Sequence, residues 1–263
     1  MGFYWLYDLP NWLFFVLTVS SFITFSLLGA FLFSSKFEKQ LNLTSEHNSI
    51  VSIFLGLSGV FYGITLGLIA VGTFENFNAT EDKVNNESSS LSALYRDVSM
   101  FEKENKHIIK AILKNYTKTV IYKDWLKQKK GEIPQESTKI MEQFQLQFSS
   151  YEPETKKDEI IYSKTLGQYN EFIEKRTLRL NAINAGLPST IWLVLFLGAF
   201  VNIVLTWLLV IKNKKLDVLI NILSGLLLGS LIFLIAAMDN PFRGEYCVTA
   251  DSFVTLLNGL MKK

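Results

Sequence analysis

The chain has 263 residues, of which 49% are apolar, 14% aromatic and 19% charged. That is too hydrophobic for an ordinary soluble domain and too charged for membrane helices alone, so a membrane part plus a solvated part is expected. A net charge of +2 gives no reason to expect nucleic acid as a partner. One cysteine, Cys247, excludes an internal disulfide, and two distant histidines, His47 and His107, give no metal-site or Cys/His catalytic pattern. No metal and no cofactor are expected.

Four stretches are long and apolar enough to cross the ~30 Å of a bilayer core, which takes about 20 helical residues. They run from about Trp12 to Ser34, Ser49 to Phe74, Thr190 to Ile211 and Leu216 to Met238, and their only charge is Asp217 at an edge. The first exceeds a signal-peptide core and lacks a basic leader, so it reads as a retained span. Trp5, Trp12 and Trp192 stand near span ends, as interfacial aromatics do.

The second span has two distinct faces. At about 100° per residue, Ser52, Gly56, Gly59, Gly63, Gly67 and Ala70 share one side, a small-residue stripe suited to close helix packing in lipid. Phe54, Ser58, Phe61, Thr65 and Gly72 share the other. Two readings fit that second face. One is an interior helix whose hydroxyls bond back to their own backbone. The other is a pore lining, with Phe54 and Phe61 as constrictions and Ser58 and Thr65 offering hydroxyls to an ion. Gly225 and Gly229 in the fourth span form a further close-packing pair. With no carboxylate or base inside the spans, an ion-coupled transporter is disfavoured.

Between the spans lies a polar insert, 75–187. Helical spacing recurs through Ile108, Ile109, Ile112, Leu113, Tyr116, Val120 and Ile121, then Ile140, Phe144 and Phe148, then Ile161, Leu166, Tyr169, Phe172 and Ile173. Breaks at "GEIPQ" and "YEPET" divide it into about four helices. The expected organisation is therefore an all-α membrane protein with a first transmembrane pair (1–74), the helical insert (75–187), a second pair (188–238) and a C-terminal turn with a short helix (239–263). The lysines after the first and third spans place the insert outside the cytoplasm by the positive-inside rule, while Lys175, Arg176 and Arg179 at the insert's own membrane edge argue the reverse.

Several polar residues are candidates for a pore mouth or latch. Glu75 ends the second span. Glu87 and Arg96, nine residues apart, are read as sharing a helix face. Asp239 and Arg243 flank the turn that ends the fourth span, and are expected to pair with each other.

Three stretches, "NNESSSLSALYRD", "KNYTKTVIYKDWLKQKKGE" and "RLNAINAGLPSTIWLVLFLGA" leading on to "MDNPFRGEYCVTADSF", resemble in order and spacing the bestrophin-like domain family of bacterial and plant membrane proteins, from about Ser49 to the C-terminus. A more remote resemblance is to true bestrophins, pentameric channels for anions with some cation-conducting bacterial relatives. Their plan, two spans, a cytosolic helical insert, two spans and a tail, implies here a homo-oligomer, a pentamer by analogy, in a cell membrane (for a bacterial protein, the inner membrane), with inorganic ions and lipid as partners. It also implies an insert in the cytosol, and a closing stretch folded back so that Asp239 and Arg243 lie against the helix carrying Glu87 and Arg96. Asn240, Pro241 and Phe242 match the bestrophin stretch after the last span, but Arg243 separates them from Gly244. The acidic run that binds calcium in animal members is reduced to Glu245 and Asp251, too few oxygens for a tight site. The alternative to a channel is a non-conducting scaffold or sensor whose insert binds a partner. An enzyme is not expected, since no nucleophile elbow, phosphate loop or paired carboxylates are present.

Overall fold

The computed structural model describes residues 4–262, with the side chains of 103 and 104 excepted. It is all-helical, with no strand among the described residues. A 3₁₀ turn (Tyr4–Asp8) precedes α1 (Asn11–Gln40), then follow α2 (Asn48–Val98), α3 (Lys103–Thr119), a π-helical turn (Val120–Asp124), α4 (Trp125–Gln128), α5 (Glu136–Ser149), α6 (Lys156–Asn181), α7 (Ser189–Trp207), α8 (Lys214–Asp239) and α9 (Asp251–Asn258). Four helical stretches are long and apolar enough to cross a membrane.

The chain forms two compact units. The first comprises Met1–Glu75, Gly186–Asp239 and Gly244–Tyr246; the second comprises Asn76–Ala185, Asn240–Arg243 and Cys247–Lys263. Residues of the C-terminal turn fall in both units, and the short helix that follows it falls in the second.

In the first unit, α1 and α8 meet at glycines. A Cβ on Gly225 would lie 2.6 Å from Ile23 Cα, and one on Gly229 would lie 2.9 Å from Val19 Cα. Only hydrogen at these positions lets the two backbones approach so closely. Trp207 of α7 lies over Gly29 and donates its indole N–H to the Ser26 carbonyl at 2.9 Å. Polar glue completes the packing. The Ser26 and Thr206 hydroxyls both donate to Asn221 Oδ1, at 2.9 and 3.2 Å, and Asn221 returns its amide to the Asp217 carbonyl. Tyr62 of α2 donates to the Leu195 carbonyl at 2.6 Å. Asn48 makes a two-way bond with the Val210 backbone at 2.9 and 3.0 Å, tying the start of α2 to the end of the α7 connection.

The second unit is a bundle around one aromatic core. Phe144 stacks on Tyr169 and Phe148 on Tyr162, at 4.8 and 4.7 Å between centroids, while Tyr116 meets Phe172 edge-on. The stripes read from sequence form this core, apart from Ile108 and Leu166, which are exposed. Thr155 and Asp158 cap α6 reciprocally, each side chain accepting from the other's backbone N–H, which stops "YEPET" from continuing α5. Phe253 and Leu257 of α9 are buried in the same core, and Met261 beyond it accepts from the Thr117 hydroxyl at 3.3 Å.

Two differences from the sequence reading have simple causes. α2 does not end near Phe74 but runs on to Val98. The change from apolar to polar residues there marks the edge of the hydrophobic span, and no Pro or Gly follows Gly72 to stop the helix. The run through "YTKTVIYKDW" is interrupted by a π-helical turn, which inserts one extra residue without any breaker in the sequence.

Candidate functional site

α2 presents three stripes within the first unit. Tyr62, Leu66, Ile69 and Thr73 face the rest of the unit, with Tyr62, Leu66 and Thr73 buried. This stripe lies about 80° from each of the two faces read from sequence, at ~100° per residue. Both of those faces are therefore left open. Phe54 and Phe61 are 61% and 71% exposed, and Ser58 and Thr65 are half-buried. Thr65 gives its hydroxyl to the Phe61 carbonyl at 2.8 Å, a bond back into its own helix.

Along the small-residue stripe the chain itself supplies almost no neighbour. Ser52, Gly56, Gly59, Gly63 and Gly67 are exposed, and Cβ atoms built on Gly56, Gly63 and Gly67 meet nothing within 4 Å. Gly59 alone has a neighbour, Asn202 Oδ1 at 3.9 Å. Close packing within this chain uses Gly225 and Gly229 instead, because those glycines face α1. Glu75 is exposed on continuous helix.

Glu87 and Arg96 do not share a face. Nine residues at about 100° each sum to two and a half turns, which puts them on opposite sides. Glu87 is fully buried and Arg96 is exposed. The partner of Glu87 is Arg179 of α6. Arg179 donates Nε to Glu87 Oε2 at 2.5 Å and Nη2 to Oε1 at 3.2 Å, a two-pronged contact between two side chains with no exposed surface. The Tyr116 hydroxyl adds a 2.6 Å bond to Oε1, and Arg179 Nη1 donates to Gln128 Oε1 at 2.7 Å. Trp125 and Phe253 lie 5.8 and 5.9 Å from the guanidinium carbon. Burial pushes the Tyr116 phenol far above its usual range, and the Glu87 carboxylate pushes it the same way, so it stays a donor. Arg176 is also buried and bonds the Ser137 and Thr138 hydroxyls at 3.2 and 2.7 Å. Arg176 and Arg179, counted from sequence as charges at a membrane edge, are core residues of the second unit.

The closing turn is distributed between the units. In the first, Asp239 accepts from the Leu187 N–H at 2.5 Å and the Trp192 indole at 3.3 Å, so it holds the start of α7. Glu245 accepts from the Asn11 N–H at 2.8 Å. Pro10 has no side-chain acceptor to cap α1, and Glu245 supplies one, at the end of the helix where the dipole favours an anion. In the second unit, Arg243 donates Nη2 to the Lys130 carbonyl at 2.7 Å, beside Gly131. Gly131 has φ +76° and no room for a Cβ against that guanidinium. The described partners of Asp239 are Leu187 and Trp192, and that of Arg243 is Lys130.

Sequence reasoning missed Gln128, Asp124 and the roles of Tyr116 and Arg179. The one available signal was an arginine within an otherwise apolar helical stripe, since Arg179 follows Phe172 by seven residues. Among the described residues no cluster of three or more His, Cys, Asp or Glu could hold a metal.

No curated protein matches the chain. Among solved structures, a leucine-to-threonine variant of a bacterial bestrophin homologue from Klebsiella pneumoniae is similar at TM-score 0.70 and 12% identity, over 94% of this chain and 97% of that one. An isoleucine-to-threonine variant of the same homologue matches at TM-score 0.68 and 13% identity, over 94% and 99%. A proline-to-alanine variant described only as a membrane protein matches at 0.69 and 11%, over 94% and 97%. At these identities the likeness establishes the fold. The family model for the bestrophin-like domain matches residues 23–253. With nearly the whole chain covered, the protein belongs to the bestrophin-like domain family.

Proposed function

We propose that the protein is a homo-oligomeric ion channel or channel-like pore of the cell membrane, with α2 around its axis. The observation that carries this reading is the exposure of α2. Its membrane half fastens to its own chain by one stripe and leaves the glycine stripe and the Phe54, Ser58, Phe61 and Thr65 stripe open. Lipid requires neither glycine nor hydroxyls on a helix surface, and each glycine costs about 1 kcal/mol of helix propensity against alanine. Neighbouring copies and a central axis would use both. In this reading the glycines admit an adjacent subunit, and Phe54 and Phe61 narrow the path. Family membership supports the same reading, as does the fold of the Klebsiella homologue. Five copies, inorganic ions as the conducted species and residence in the bacterial inner membrane extend the proposal by the bestrophin plan. Glu75, Arg96, Asp239 and Arg243 keep a proposed place at the mouth or latch.

The test is ion flux through purified protein in liposomes, with the particle mass measured in parallel. Flux is expected, and Phe61→Ala should enlarge it. An oligomer without flux under varied pH, voltage and calcium supports the non-conducting scaffold. A monomer overturns both the pore and the role given to the glycine stripe.

A further inference from the structure

The π-helical turn carries Asp124 into the interior of the second unit. Asp124 has no exposed surface, and neither carboxylate oxygen has a hydrogen-bond partner. The groups that act on its charge come from three helical runs. From α5 come Ser137, whose hydroxyl is beside it, and Glu136. From α6 come Arg176 and Arg179. From the next turn of its own helical run comes Lys127. Tyr116 lies on the far side of Arg179, on Glu87.

None of the cations is committed to Asp124. Arg179 is spent on Glu87 and Gln128, and Lys127 on Glu136 at 2.7 Å. Arg176 uses Nη2 on the Ser137 and Thr138 hydroxyls, while its Nε has no partner. Among the described residues no cation lies within 4.0 Å of the Asp124 carboxylate. A buried carboxylate anion without a partner is among the costliest groups a protein can hold, and protonation removes the charge. The neutral acid also gains a hydroxyl donor, and Ser137 offers it an acceptor.

We propose that Asp124 is a proton-binding site of the second unit, neutral while the π-helical turn is packed and charged only when that turn loosens. The electrostatics agree with the geometry. Burial pushes the Asp124 carboxyl up; the Ser137 hydroxyl, Arg179 and Arg176 pull it down without reversing the shift, and Glu136 adds to it. A π-helical turn suits such a site, since one extra residue in the helix can be absorbed or released by a small change in register. The site belongs to the second unit and holds whether or not the protein conducts.

The sign of the effect follows from linkage. A carboxyl raised in the folded state stabilises the fold below its unfolded value of about 4, and that stability is lost as pH rises through the folded value. The experiment is thermal unfolding of the full chain in detergent between pH 4 and pH 8 (about 4 to 8, spanning the ordinary carboxylate value). The wild-type midpoint should fall across this range by about 3–5 °C for each pKa unit of elevation. Asp124→Asn, neutral at every pH, should lose this part of the slope and unfold at a higher midpoint at the upper end. An unchanged slope in a folded Asp124→Asn protein overturns the proposal. If that variant does not fold, the infrared spectrum of the wild type decides. A protonated-carboxyl band that persists above the pH of ordinary aspartates and shifts in Ser137→Ala supports the site. No such band, or a band indifferent to Ser137→Ala, overturns it.

Discussion

Replacing Arg179 by methionine keeps an unbranched apolar stem and removes the guanidinium and its charge. Three hydrogen bonds disappear, two to Glu87 and one to Gln128. The Glu87 carboxylate is then left with Tyr116 as its described donor, at a position with no exposed surface. Breaking a buried pair from one side costs about 3–5 kcal/mol, because the remaining charge has lost both water and partner. The guanidinium also faces Trp125 and Phe253 at 5.8 and 5.9 Å, and losing that attraction adds about 0.5–1 kcal/mol. At about 2–4 °C per kcal/mol, the midpoint of the full chain in detergent should fall by roughly 7–24 °C. Glu87→Gln on the Arg179→Met background removes the stranded charge and leaves Tyr116 a neutral acceptor. It should recover at least about 2 kcal/mol, the difference between burying a charged and a neutral polar group. A single-variant cost below about 1 kcal/mol, the worth of an exposed pair, would refute the reasoning, as would a double variant that recovers nothing.

Gly225→Ala should cost about 1–3 kcal/mol of overpacking, against a helix-propensity gain of about 1 kcal/mol, and so lower the unfolding midpoint, since its Cβ would meet the Ile23 backbone at 2.6 Å. Gly56→Ala meets nothing within 4 Å in the chain, so it should leave subunit stability level or slightly raised, and any loss it causes should appear in the oligomer mass alone. Tyr116→Phe should cost about 1.5–3 kcal/mol in thermal or chemical unfolding, the value of a bond to a charged group, with no loss of helix content.

The spans, the core stripes and the breaks of the insert were legible because each is a periodic or compositional property of neighbouring residues. Ile140, Phe144 and Phe148 repeat at helical spacing, and the spacing is the packing. Glu87 and Arg179 were not legible as a pair. They are 92 residues apart, and either one in isolation has the composition of a solvated helix face. Sequence spacing along α2 set Glu87 and Arg96 on one face, and the phase of the helix rules that out. The same limit distorted the orientation argument. Lys175, Arg176 and Arg179 look alike as basic residues near a membrane edge, but Arg176 and Arg179 are interior. Charges neutralised inside a bundle do not count among those that set topology, which belong to exposed flanks. Counting exposed charge alone leaves Lys175 from that cluster against the lysines of the short loops, so the basic-loop evidence for an insert outside the cytoplasm is stronger than the raw sequence suggested. The bestrophin plan points the other way. Labelling an exposed position of the insert, such as a cysteine at Leu146, with a membrane-impermeant reagent in intact cells separates the two, because labelling without permeabilisation occurs only if the insert faces outward.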